Sequence, residues 1–266
     1  MLRGLCTNGA AAAALLLGGC SDPLDLGTDL VWTADQETGD LEQWKSGDLG
    51  GTRLPPDSTI EITSERVRSG RYALKLSNPT GWNPKDSDDP SRSVAEGEEG
   101  PELFHAVGEL ADAYYSAWFL LPEQYRLDPM LTLLRLRSRA APGELPAGGE
   151  ALVLRSLKTG GYVLQVMNNH ANFLLEPVAE PAPHIEVGRW FQLEVRYEPR
   201  SSGRLRVWLD GALRYDLNER PGAPSGELTL SLSNTAERAE PQPLVLYADD
   251  AAVSLSRVSP SGVFSD

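Results

Sequence analysis

The chain has 266 residues, 41% hydrophobic and 23% charged, which is enough apolar mass for one large domain or two small ones. Its 38 acidic against 24 basic side chains leave a net charge of −14, which argues against nucleic acid as a partner, because that binding rests on neutralising phosphates with Lys and Arg. The same balance suits a soluble extracellular surface and leaves carboxylates available for calcium.

In chain order, the first element reads as a processing signal rather than as structure. Arg3 supplies a short positive start, and Ala10–Leu17 is an apolar stretch too short to span a bilayer. Leu17-Gly18-Gly19-Cys20 follows, and this run resembles the bacterial lipobox, whose cysteine is lipidated. The resemblance implies residues 1–19 as a signal peptide and Cys20 as the lipid-bearing N-terminus. Residues 20–29 would be a tether. Ser21, rather than Asp, after that cysteine implies sorting to the outer membrane or cell surface. Cys6 would leave with the signal, so the expected mature domain (30–266) has no disulfide and depends on its core.

Beyond the tether, alternating apolar and polar runs dominate, broken by Gly, Pro, Asn and Asp clusters. The pattern predicts strands near 30–34, 59–63, 71–77, 114–121, 131–138, 151–157, 161–168, 190–198, 204–209, 212–216, 227–233 and 244–255. Only Glu123–Leu127 is expected to make a helical turn. About a dozen short strands with 20 prolines mostly between them give an all-β, two-sheet antiparallel sandwich in a single domain. The longest polar interruption, 78–102, holds seven acids and Trp82. Asp210-Gly211 between two apolar arms predicts a two-residue type I′ hairpin. That hairpin would set Trp208 opposite Leu213 and Arg206 opposite Tyr215, with Trp208 as scaffold. Trp32, Trp44, Trp118 and Trp190 are expected in the core.

Several separated stretches then share one pattern. DQETGDLEQW (35–44), YYSAWFLLPEQY (114–125), GRWFQLEVRYEPRSSGRLRVWLDGALRYD (188–216) and LYADDAAVS (246–254) resemble the concanavalin A-like lectin/glucanase superfamily, and its polysaccharide-lyase-like jelly rolls in particular. The resemblance covers roughly Val31 to Val258. It implies a jelly roll with a glycan groove on a concave sheet face. It also implies a structural calcium joining the first and last strands, with Asp35, Glu37 and Asp40 meeting Asp249 or Asp250. Fold alone does not name an activity.

The middle strands offer the candidate ligand contacts. Arg135, Arg137 and Arg139 share parity in LTLLRLRSR (131–139), Arg155 alternates with Leu154 and Ser156, and Gln165 and Asn169 share a face opposite Tyr162, Leu164 and Val166. If these strands are neighbours, Arg135, Arg137, Arg155, Gln165 and Asn169 line one polar face suited to planar carboxylates, because a guanidinium donates two parallel hydrogen bonds. The alternative is an ordinary solvated sheet face. Trp82 is a candidate sugar-stacking platform.

For β-elimination on a uronate, His105, His170, Tyr114 or Tyr115 would have to join these groups for proton transfer. The lyase motifs Gln-x-His and Arg-x-Glu-x-Arg are missing from the strands. So is the Glu-x-Asp-x-x-Glu run of retaining glucanases; Glu194 stands alone among apolar neighbours. The three histidines have no zinc-site spacing. The sequence therefore points to a lipid-anchored, monomeric jelly roll that recognises polysaccharide without catalysis. Its alternative is a polysaccharide lyase, and a purely structural envelope protein comes third.

Overall fold

The structure is a computed structural model that describes residues 29–45, 50–79, 100–108, 112–139, 147–168, 173–175, 182–198, 203–218 and 227–258. Its strands are β1 (Leu30–Ala34), β2 (Gly51–Arg53), β3 (Thr59–Thr63), β4 (Ala73–Asn78), β5 (Glu102–Gly108), β6 (Ala113–Leu120), β7 (Arg126–Arg139) and β8 (Ala147–Ser156). They continue as β9 (Tyr162–Asn168), β10 (Phe173–Leu175), β11 (His184–Ile185), β12 (Phe191–Tyr197), β13 (Leu205–Leu209), β14 (Ala212–Leu217), β15 (Glu227–Glu240) and β16 (Leu244–Ser254).

All pairings are antiparallel. Sheet I runs β14-β13-β12-β6-β16-β4-β3, with β1 also on β16. Sheet II runs β10-β9-β8-β7-β15-β5-β2, with β11 also on β9. The expected two-sheet sandwich is what forms.

Period-two alternation explains why two sheets stack. One face of each is apolar, and burying a Leu or Val side chain is worth about 1.5–3 kcal/mol relative to leaving it in water. Sheet I contributes Leu74, Leu76, Phe119, Leu193, Val195 and Val207 to the shared core; sheet II contributes Leu103, Leu134, Leu152, Leu164, Leu230 and Leu232.

Polar ties cross the core as well. Asn234 sits at an irregularity in β15 and donates through Nδ2 to the carbonyls of Leu76 and Leu244 in sheet I, while Asn78 donates back to the Asn234 carbonyl. Tyr215 of sheet I donates to the Leu164 carbonyl of sheet II at 2.7 Å.

Three expectations are corrected. Glu123–Leu127 forms no helical turn. Tyr125 is buried there, its N–H donates to the Tyr162 hydroxyl, and β7 starts at Arg126. The one helical turn among the described residues is a 3₁₀ turn at Glu42–Trp44, whose Trp44 is fully buried.

The hairpin turn has φ +49° at Asp210 and +78° at Gly211, as a type I′ turn requires, and Trp208 does face Leu213. Arg214, however, is an extra residue. Val207 then pairs with Tyr215, and Arg206 with Asp216 rather than with Tyr215.

Trp118 is buried outside the core. It lies on the outer face of sheet I, with the Arg68 guanidinium 4.1 Å from its ring centroid.

Candidate functional site

The outer face of sheet II carries the candidate residues, and the register fixes their order. On β7, Leu134 and Leu136 point into the core, so Arg135 and Arg137 point out. On β8, Leu152 and Leu154 point in, so Ala151, Val153 and Arg155 share the arginines' face. On β9, Tyr162, Leu164 and Val166 point in, leaving Val163, Gln165 and Met167 outward.

Cross-strand pairs align these rows. Arg135 lies opposite Ala151, which lies opposite Met167; Val153 lies opposite Gln165, and Arg155 opposite Val163. Arg135, Arg137, Arg155 and Gln165 therefore share one face, as the alternation predicts, with Arg155 four residues along β8 from the Arg135 row. Asn169, His170, Trp82 and Cys20 lie outside the described residues.

The face is graded in depth. Arg135 is only 2% exposed, with Nη2 3.4 Å from the Thr132 hydroxyl. Arg137 is part-exposed and reaches Glu102 at 3.4 Å. Arg155 is exposed, whereas the Oε1 of Gln165 is buried and accepts no hydrogen bond. A buried carbonyl oxygen without a donor costs about 1–3 kcal/mol.

Two residues of this face escaped the sequence reading because β5 did. Glu102 and Phe104 flank core-facing Leu103, so both point outward. Phe104 stands opposite Ser231, whose other neighbour is Arg135. Glu102 was counted among the acids of a polar loop; the signal that marks a strand is the alternation Leu103, His105, Val107 immediately after it.

The proton-transfer candidates go elsewhere. His105 shares the core side of β5, where its ring stacks on Trp32 at 4.1 Å and burial pushes its pKa down. Tyr115 is in the core, its hydroxyl pKa pushed up by burial. Tyr114 lies on the outer face of sheet I beside Trp208, ring centroids 6.0 Å apart. Among the described residues, no tyrosine stands on the arginine face. Among the described residues, His184 stands opposite Val163 at the margin of this face.

Glu194 and Trp208 belong to a clasp on sheet I. Arg257 Nε donates to Glu194 Oε2 at 2.9 Å, the Val258 N–H donates to Oε1 at 2.6 Å, and the Arg257 guanidinium lies 4.5 Å from the Trp208 ring centroid. The carboxylate is 1% exposed, and burial raises its pKa against these two donors. Trp208 is scaffold, as expected.

The N-terminal carboxylates do approach the end of the chain. Asp35 and Glu37 lie close enough to Asp250 to help raise its pKa, although burial is the larger cause. Burial and the neighbouring Asp250 charge push Asp249 up to about 8, while the N–H groups of Arg68, Asp250 and Ser69 pull the other way.

The oxygens of this cluster are already used as acceptors. Glu37 Oε1 accepts from the N–H groups of Arg71 and Tyr72, Asp250 accepts from the Ser69 hydroxyl, and Asp40 accepts from the Thr38 hydroxyl and the Glu42 N–H. Among the described residues, no group of three or more His, Cys, Asp or Glu is arranged to hold a metal.

No protein-family model matches the chain, and no curated protein matches it. Solved structures do resemble it. An endo-β-1,4-glucuronan lyase from the fungus Trichoderma reesei aligns at TM-score 0.57 and 14% identity, over 86% of this chain and 97% of its own. The cellulose-induced protein Cip1 aligns at 0.55 and 16%, over 85% and 98%. A mutant of the alginate lyase Aly36B, solved with an alginate trisaccharide, aligns at 0.53 and 9%, over 86% and 99%. At these identities the likeness is one of fold alone, an antiparallel two-sheet sandwich.

Proposed function

We propose that the protein recognises a uronate-bearing polysaccharide on the outer face of sheet II, without cleaving it. The observation that carries this reading is the placing of Arg135, Arg137 and Arg155 on one face with Gln165, whose buried Oε1 has no donor. Guanidiniums suit a planar carboxylate, and the glutamine carbonyl suits a sugar hydroxyl. The likeness to structures of glucuronan and alginate lyases supports the same substrate class. Recognition is preferred over elimination because the candidates within the described residues, His105, Tyr114 and Tyr115, all stand away from the arginine face.

The lyase alternative keeps one supporting observation, the fold itself, and a single assay separates the two. The protein is incubated with glucuronan and alginate while absorbance of an unsaturated product is followed, and binding to the same polymers is measured in parallel. Binding with a flat absorbance trace is the expected result, with Arg155→Ala weakening binding about tenfold. A rising trace that Gln165→Leu abolishes would make the protein a lyase. We also propose that Cys20 carries lipid and holds the domain at the outer membrane. The support is the Leu-Gly-Gly-Cys run, and partition of Cys20→Ser into the aqueous phase of a detergent separation tests it.

A further inference from the structure

The register places one titratable side chain on the arginine face that the proposed function does not use. On β11, Ile185 points into the core, so His184 points outward. It stands opposite Val163 on β9, and Val163 stands opposite Arg155 on β8. Arg155, Val163 and His184 therefore form one row across three strands. Gln165 lies in the next row along β9.

Arg155 and His184 are exposed, and Val163 between them is half-buried. The row is open to solvent, with a nitrogen-bearing side chain at each end and an apolar floor in the middle. Two strand steps put the backbones of Arg155 and His184 about 10 Å apart. A carboxylate laid over Val163 comes within reach of both side chains.

The His184 ring is supported from one side. Its Nε2 lies 3.4 Å from the Gly160 carbonyl oxygen, and a Cβ added at Gly161 would come within 2.4 Å of the same nitrogen. With Nε2–H donating to that carbonyl, the neutral ring offers a ligand only the lone pair of Nδ1. An acceptor gives a carboxylate nothing. The protonated ring offers an N–H and a positive charge, and so a charge-assisted hydrogen bond.

Among the described residues, the other charged groups around the ring offset one another. Glu186, Arg189 and Asp210 line the hollow beside it, and Lys158 lies in the turn that carries Gly160. Glu186 and Arg189 pair at 3.7 Å, and Asp210 accepts the Gln192 N–H at 2.8 Å. Two acids face two bases, so the charge on the imidazole decides what this end of the row presents. Imidazole is the side chain whose charge ordinarily changes between pH 5 and 8, a range in which a carboxylate stays ionised.

We infer that His184 is a ligand-contacting residue that makes uronate binding proton-dependent, the imidazolium and the Arg155 guanidinium holding one carboxylate between them over Val163. The inference rests on the glycan-recognition reading above and adds a condition to it: the face binds more tightly as the pH falls.

Length-matched oligosaccharides of glucuronan and alginate would be titrated into the full chain by calorimetry at pH 5.5 and pH 8, at fixed ionic strength. The expected result is roughly tenfold tighter binding at pH 5.5. Repeating the titration near pH 6.5 in two buffers of different ionisation heat should show a net uptake of protons on binding. His184→Gln should bind equally at both pH values and take up none. His184→Lys, charged throughout, should bind more tightly at pH 8 than His184→Gln does.

A wild type that binds equally at both pH values would overturn the role of His184 while leaving glycan recognition standing. So would a folded His184→Gln protein that keeps the pH dependence and the proton uptake. Binding of neither oligosaccharide at either pH by the folded wild type would overturn the recognition reading itself.

Discussion

At the scale of single residues, the carboxylates show how little a charge says without its surroundings. Glu194 reads as an isolated acid and Glu102 as one of seven in a polar loop, yet one anchors the C-terminal clasp and the other lies against Arg137. The pair Asp249–Asp250 gives a prediction with a definite sign. Asp249 titrates near 8 in the folded protein against about 4 in an unfolded chain, so the folded state holds its proton more tightly. The contribution of this group to stability is therefore greatest below about pH 4 and is lost as the pH rises toward 8. Asp250→Asn removes the neighbouring charge and keeps an acceptor for Ser69. Asparagine also tolerates the φ of +47° found there. Thermal melts should show the variant gaining stability over the wild type at pH 8 and little at pH 4. An equal gain at both values would refute charge crowding as the cause. The three arginines and Gln165 were legible because alternation fixes which face a side chain takes. Which acids would meet them was not, since that depends on sheet order.

At the scale of elements, the β13–β14 hairpin separates what a turn motif determines from what a strand does. Asp210-Gly211 announced its turn type correctly, but the extra residue at Arg214 left no mark in the alternation. Its effect is large: Tyr215 turns inward to reach the Leu164 carbonyl, and Asp216 turns outward to pair with Arg204 and Arg206. Deleting Arg214 should straighten the strand while keeping Tyr215 opposite Val207, at a cost of about 1 kcal/mol or less in urea denaturation. Inserting a glycine after Arg214 should instead turn Tyr215 toward solvent and cost about 3 kcal/mol or more. Equal costs for the two variants would show that register on this edge is set elsewhere. β5 was missed for a related reason. Its alternation begins directly after an acidic stretch, and the polar residues masked the start of a strand that carries Glu102 and Phe104 on the arginine face.

At the scale of the whole molecule, the two-sheet architecture was readable because strand patterning and the composition of the turns agreed along the chain. Which strands neighbour one another was not, because pairing partners such as β1 and β16 are more than 200 residues apart. The clasp closes the end of this arrangement, and its removal should be felt globally. Deleting residues 256–266 strips Glu194 of both donors and leaves a buried, uncompensated carboxylate, which should cost about 3–5 kcal/mol in chemical denaturation. Adding Glu194→Gln to the truncated chain should recover part of that loss, because the amide is far cheaper to bury than the charge. If the second change recovered nothing, the clasp would act through its packing alone.

The position of β16 has a kinetic meaning too. It is the last strand among the described residues, yet it lies inside sheet I, with β6 on one side and β4 and β1 on the other. Until it arrives, β4, β6 and β1 have no strand between them, and sheet I stays as separate pieces with open edges. Long-range pairing of this kind is slow relative to local structure. Sheet I therefore closes only once β16 has been made and gives β1, β4 and β6 their shared neighbour.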